Sequence, residues 1–149
     1  MIKKTHIIIH HSATKDGPTL SWHAIRKYHI ETNGWFDIGY HFGIELFDDG
    51  VQVLCGRMLT DRGAHCVQNK MNDISIGICI VGNYDLIEPP QNVWDAGVKL
   101  VASLCVFGGI DTDNVQPHGL YNTGKSCPGE MFNMDAFRLD VKTRCRQMQ

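Results

Sequence analysis

Three short stretches of this chain hold residues whose types and spacing can do chemistry. The first is His10-His11, at the end of an apolar, β-branched run. The second is Pro117-His118-Gly119, followed by Gly124-Lys125-Ser126-Cys127-Pro128. The third is Asp37-Ile38-Gly39-Tyr40-His41-Phe42. Imidazole is the commonest metal ligand and the proton carrier of neutral pH, and the chain has 8 histidines. His118 and Cys127 are close enough in sequence for a loop to bring both to one ion, and a strand end is rigid enough to present a third donor. Two imidazoles and one thiolate leave a tetrahedral ion with an open position for water, the arrangement of catalytic rather than structural zinc. A structural site requires a fourth protein ligand, and the neighbouring sequence offers no obvious one. His10 and His11 point to opposite sides of a strand, so at most one is a direct ligand. Tyr40 offers a phenol to hydrogen-bond water or a tetrahedral intermediate, while His41 alternates away from it and reads as packed. Asp37 and Glu45 are the nearest carboxylates and read as turn and strand-surface groups. Cys127 with His118 as a metal-independent cysteine nucleophile is the competing chemistry.

The elements that must position these residues follow from pattern. Thr5–His11 reads as a buried strand and Thr14–Thr19 as a loop. Ser21–Thr32 reads as a helix with Trp22, Ile25 and His29 on one face and Asn33-Gly34 as its stop. Tyr40–Phe47 and Val51–Cys55 flank Asp48-Asp49-Gly50, a hairpin signal. Ile74–Val81 is a second buried strand. Pro89-Pro90 precede a helix over Gln91–Phe107 that ends at Gly108-Gly109. A strand near Val115 and a glycine- and asparagine-rich loop lead to a last helix, Met134–Arg146, burying Phe137, Val141 and Cys145. Strands interleaved with helices predict a single α/β domain over residues 1–149, with a central mixed sheet flanked by helices.

Composition narrows the function. At 149 residues, 43% apolar and 20% charged, the chain can bury a core without staples. Its 14 basic and 16 acidic residues are mixed, with no basic stripe, which excludes a nucleic-acid partner on electrostatic grounds. No run approaches the ~20 apolar residues of a membrane span. The three isoleucines after Lys3-Lys4 fall short of the ~7–15 apolar residues of a secretory signal, so synthesis in the cytoplasm is expected. Six cysteines invite a disulfide framework. Cys79, Cys105 and Cys145, however, sit in apolar strand and helix patterns and read as reduced, buried thiols. Cys55 and Cys66 are the pair that could close a loop.

Taken together and in order, these stretches resemble the zinc-dependent N-acetylmuramoyl-L-alanine amidases, the family of T7-lysozyme-like enzymes and peptidoglycan recognition proteins. The resemblance spans nearly the whole chain. It rests on Ile9-His10-His11-Ser12-Ala13-Thr14, Trp35 to Phe42, Gly63-Ala64-His65, Ser75 to Gly82, and His118 to Cys127-Pro128. It implies the amidase fold, Zn²⁺ held by His10, His118 and Cys127, and Tyr40 and Lys125 as catalytic residues. His65 is the candidate for substrate binding, with Arg57 and Asn83 as further groove candidates. The loop between His118 and Cys127 is one residue longer than in the T7-like branch, while Lys125 keeps its offset from the cysteine. The implied reaction is hydrolysis of the amide between N-acetylmuramic acid and L-alanine, by a monomer acting on bacterial peptidoglycan as a phage- or prophage-type endolysin. The alternative within the resemblance is a module that binds peptidoglycan without cutting it; such relatives typically lack the cysteine.

Overall fold

The apolar run near the start of the chain becomes the strand around which the other elements are placed. The computed structural model describes residues 2–13 and 21–149, so the loop expected at Thr14–Thr19 lies outside the described residues. Strand β1 (His6–His11) pairs in parallel with β4 (Ser75–Ile80) on one side and β5 (Val115–Pro117) on the other. β2 (Phe42–Phe47) adds to β4, also in parallel, and β3 (Gly50–Cys55) pairs with β2 as the antiparallel edge. The order is β3-β2-β4-β1-β5. This is the mixed sheet expected from the sequence, with strand ends shifted by a residue or two; β2 begins at Phe42 rather than Tyr40.

Strand alternation sorts the side chains onto two faces. One face presents Ile7, Ile9, Ile44, Ile76, Ile78 and Ile80. These pack against Val93, Val101 and Cys105 of α3 (Gln91–Gly108) and Phe137, Val141 and Cys145 of α5 (Met134–Gln147). Each such side chain contributes on the order of 1.5–3 kcal/mol when fully buried, and this is the main core. The other face presents Ile8 and His10 of β1, the small residues Ser75, Gly77 and Cys79 of β4, and Gly43 and Glu45 of β2. There α1 (Trp22–Glu31) packs so closely that a Cβ on Gly43 would meet the Trp22 ring at 2.3 Å.

Local signals explain where the helices stop and start. Ser21 accepts the amide hydrogen of Ala24 to cap α1, and Asn133 does the same for Ala136 at the start of α5. Pro90, with φ preset at −55°, leads into α3, and Gly109 ends it in the left-handed conformation at φ +62°. Two one-turn helices carry no periodic signal and were not expected: α2 (Met71–Ile74) and α4 (His118–Tyr121). All six cysteines are free thiols, Cys55 exposed and Cys66 buried beside Ile8 and Met71. Among the described residues no helix is long and apolar enough to cross a membrane.

Candidate metal centre and its cleft

Parallel strands deliver their carboxyl ends to one edge of the sheet, and the chemistry collects there. His10 is the penultimate residue of β1, and His118 begins α4 directly after β5. Cys127 returns from the following loop, which folds back through the Gly119 amide donating to the Cys127 carbonyl at 2.8 Å. Only a glycine permits that return, since a Cβ at 119 would stand 2.7 Å from the Lys125 carbonyl oxygen. The same loop is pinned to the turn after β4: a Cβ on Gly129 would sit 2.4 Å from the Tyr84 backbone. Asp85 also accepts the Glu130 amide hydrogen at 2.9 Å. As a result one ligating atom from each of His10, His118 and Cys127 lies within 4.8 Å of the others, and all three residues are buried. His11 is turned away from this group, its Nδ1 accepting the Tyr84 amide hydrogen, while its backbone N–H points at the Cys127 sulfur, 3.4 Å away.

The electrostatics of the three donors suit a cation. Burial, then His65, His118 and Lys125, holds the His10 pKa well below the imidazole range. Burial and Lys125 lower His118 to about 4. Both rings are therefore neutral at pH 7, the form that coordinates metals. Burial pushes the Cys127 thiol up to about 11, with the His11 amide and Lys125 pulling the other way. A nucleophilic cysteine needs a lowered thiol pKa and an imidazolium beside it. Both shifts here run opposite to that, so the Cys127–His118 couple is not built as an ion pair. A thiolate at this depth calls for a multiply charged cation, and a neutral-imidazole, neutral-imidazole, thiolate donor set fits Zn²⁺.

The other expected residues surround this group. The Tyr40 ring centroid lies 5.1 Å from that of His10. Burial, then Cys79 and Cys127, raises the phenol pKa well above its usual value, and its hydroxyl is within hydrogen-bond reach of Cys79. Lys125 is exposed on the rim of a cleft of about 790 Å³ that the three buried donors also line. His65 lines the same cleft, but both its ring nitrogens are engaged inside the protein, with His10 and with Ser75.

Glu45 is not a strand-surface carboxylate: it is 3% exposed and accepts the Trp22 amide hydrogen at the start of α1. Arg57 does not line the cleft. It is buried and donates to the carbonyls of Asp37, Ile38 and Arg62, with Phe36 4.2 Å from its guanidinium, and so clamps the segment that carries Tyr40. Asn83 serves the turn after β4, accepting the Asp85 amide hydrogen. His29, read from sequence as a helix-face residue, is part of the cleft wall with Trp35 and Arg62. Its Nδ1 accepts the Gly39 amide hydrogen, and its ring lies 5.9 Å from Tyr40. The available signal was its place on the α1 face shared with Trp22 and Ile25.

The chain superposes on an N-acetylmuramoyl-L-alanine amidase, LysC from Clostridium intestinale URNW, with a TM-score of 0.79 over 95% of this chain and 87% of that one, at 22% identity. Residues 3–130 match the sequence profile of the N-acetylmuramoyl-L-alanine amidase family, and the chain belongs to that family. Peptidoglycan-recognition protein LB of Drosophila melanogaster is 36% identical over 113 residues, 71% of this chain. The chain spans 46% of that relative's length. A mutant of Drosophila PGRP-LB, solved in complex with tracheal cytotoxin, gives a TM-score of 0.73 at 29% identity, over 91% of this chain and 80% of that one.

Proposed function

We propose that this protein is a zinc-dependent amidase that hydrolyses the bond between N-acetylmuramic acid and L-alanine in bacterial peptidoglycan, acting as a phage- or prophage-type endolysin. The observation that carries the reading is the convergence of His10, His118 and Cys127 on an open cleft, three donors with no fourth grouped with them among the described residues. Zinc bound there supplies Lewis acidity toward a carbonyl oxygen and toward water. The chain's own residues do the rest. His10 and His118 enter as neutral imidazoles, and Cys127 gives up its proton on loading. Lys125 holds an ammonium on the cleft rim, where it stabilises negative charge developing on the scissile carbonyl; such a donor typically contributes ~3 kcal/mol. Tyr40, kept protonated by its burial, acts as a hydrogen-bond donor that orients the attacking water and assists proton transfer to the leaving nitrogen.

The second reading is a recognition module that holds muropeptide without cutting it, favoured by the names of the curated relatives and by the neighbour bound to tracheal cytotoxin. Cys127 favours catalysis, because a binding groove has no need of a buried thiol among histidines. Purified cell walls separate the two. Turbidity should fall, and mass spectrometry should find stem peptides with free L-alanine amino termini; a chelator should stop this and added Zn²⁺ restore it. Cys127→Ser should lose zinc and lysis together while keeping its circular dichroism spectrum. Walls bound but left intact would establish recognition alone. Lysis that resists chelator and is stopped by alkylation would instead identify a cysteine hydrolase.

A further inference from the structure

We propose that His65 is the positioning residue of the metal centre: it accepts the Nε2–H of His10 and so leaves Nδ1 as the one lone pair that His10 can offer a metal. This rests on the zinc reading above and assigns a device that the three donors alone do not contain.

The argument begins at a buried serine. Ser75 Oγ lies 2.6 Å from the Met71 carbonyl oxygen. A carbonyl only accepts, so the single hydroxyl hydrogen of Ser75 is committed there. The same Oγ stands 3.4 Å from His65 Nε2 and has only lone pairs left to offer it. A hydrogen bond between the two therefore has His65 Nε2 as its donor. A neutral imidazole protonated at Nε2 is bare at Nδ1, and His65 Nδ1 is 2.9 Å from His10 Nε2. His10 is then the donor, its own proton sits on Nε2, and its Nδ1 is bare. Met71, Ser75, His65 and His10 thus form one chain of hydrogen bonds with a single polarity, anchored on a backbone carbonyl.

The socket that holds His65 is built for one ring orientation. A Cβ on Gly77 would meet the His65 Cγ and Cδ2 at 2.5 Å, and a Cβ on Gly63 would meet Cδ2 at 2.5 Å. The ring therefore occupies the space two absent side chains leave. Asn72 Oδ1 accepts both the His65 and the Cys66 backbone hydrogens, at 2.7 and 2.8 Å, and fixes the loop that carries it. The segments Gly63-Ala64-His65 and Ser75-Ile76-Gly77, which hold none of the three donors, are accounted for as the two halves of this seat. A ligating histidine whose far N–H is fixed keeps both its tautomer and its ring plane, and loss of such a partner typically weakens metal binding about 10- to 100-fold.

Two measurements on the zinc-loaded protein test this. Long-range ¹H–¹⁵N correlation should place the proton of both His10 and His65 on Nε2; a proton on His65 Nδ1 overturns the proposal, because the chain would then run the other way. Chelator competition should show His65→Leu binding zinc about 10- to 100-fold more weakly than the parent. His65→Asn, whose amide oxygen falls near the lost Nδ1, should recover most of that loss. A His65→Leu protein that holds zinc as tightly as the parent, or an Asn variant no better than Leu, overturns the positioning role alone. A parent that takes up no zinc, or a Cys127→Ser variant that takes up as much as the parent, overturns the zinc reading and this proposal with it.

Discussion

The two faces of the central sheet are packed on opposite terms. The face under α3 and α5 is filled by isoleucine, valine and phenylalanine, and its two cysteines, Cys105 and Cys145, are simply part of that packing. The face under α1 and α2 carries Ser75, Gly77, Cys79, Gly43 and Glu45 at sheet positions, with His41, His65 and Asn72 packed over them. Every buried side-chain nitrogen or oxygen among the described residues has a hydrogen-bond partner. The difference shows how one small domain divides its labour. Non-directional burial on one face supplies stability, and directional hydrogen bonds on the other orient a few nitrogens and a sulfur. The small residues of β4 create the space in which those directional groups fit.

Truncating the largest fully buried side chain should give the largest effect of all and break only one side of this division. Phe137 is fully buried against Trp94 and Phe132. Phe137→Ala should destabilise by about 3–5 kcal/mol in urea unfolding, with zinc stoichiometry per folded molecule unchanged. A loss of zinc from the folded variant would show that the two faces are coupled. Lys125→Ala tests the other side. Its side chain is exposed on the cleft rim, so the melting temperature and bound zinc should hold, while turnover on cell walls should fall about 100-fold, roughly 3 kcal/mol of transition-state stabilisation. Unchanged turnover would remove Lys125 from the reaction.

This division also explains what could be read from the sequence. The apolar face was legible from pattern: a continuous isoleucine run in β1, alternating isoleucines in β4 and helical spacing in α3 and α5. His10, His118 and Cys127 were legible as a set because their types are chemically restrictive, and the structure brings them together. Glu45 was misread because alternation says only that it faces away from Ile44; that α1 covers that side is a tertiary fact. The partnership of His65 with His10 and Ser75 crosses three separate segments, and no local spacing reports it. The helices α2 and α4 are single turns, too short for periodicity to reveal.

Acid should expose the directional face first. His41 is fully buried, its Nδ1 accepting the Gly77 amide hydrogen and its Nε2 facing the Asp61 carbonyl at 3.2 Å. Burial lowers its pKa from 6.5 to about 4. The unfolded chain therefore takes up the proton first as pH falls. This contribution is complete above pH 6.5, drains away between 6.5 and about 4, and is gone below that. Between pH 7 and 5 the loss amounts to about 2 kcal/mol from this group. Urea unfolding at both pH values, with chelator present, should show a smaller pH dependence in His41→Gln than in the parent, by about that amount. Identical slopes would mean that His41 is not held neutral by its site.

The smallest effect separates charge from hydrogen bonding at the edge of the directional face. Glu45 Oε2 accepts the Trp22 amide hydrogen at 3.1 Å, while Ser21 takes that of Ala24, so two of the free donors at the start of α1 are satisfied by side chains. A carboxylate there also meets the positive end of the helix, an interaction worth about 0.3–1 kcal/mol. Glu45→Gln keeps an acceptor of the same shape and removes only the charge, so it should destabilise by about 0.5 kcal/mol. Glu45→Ala also strands a buried N–H, which costs about 1–3 kcal/mol, and should therefore be the worse of the two. If Glu45→Gln is as stable as the parent, the charge is irrelevant and Glu45 serves only as an acceptor and filler. If Gln costs as much as Ala because the helix itself loosens, His29 and Trp22 should move with it. The Tyr40 side of the cleft would then be disturbed, and cell-wall turnover would fall in step with stability.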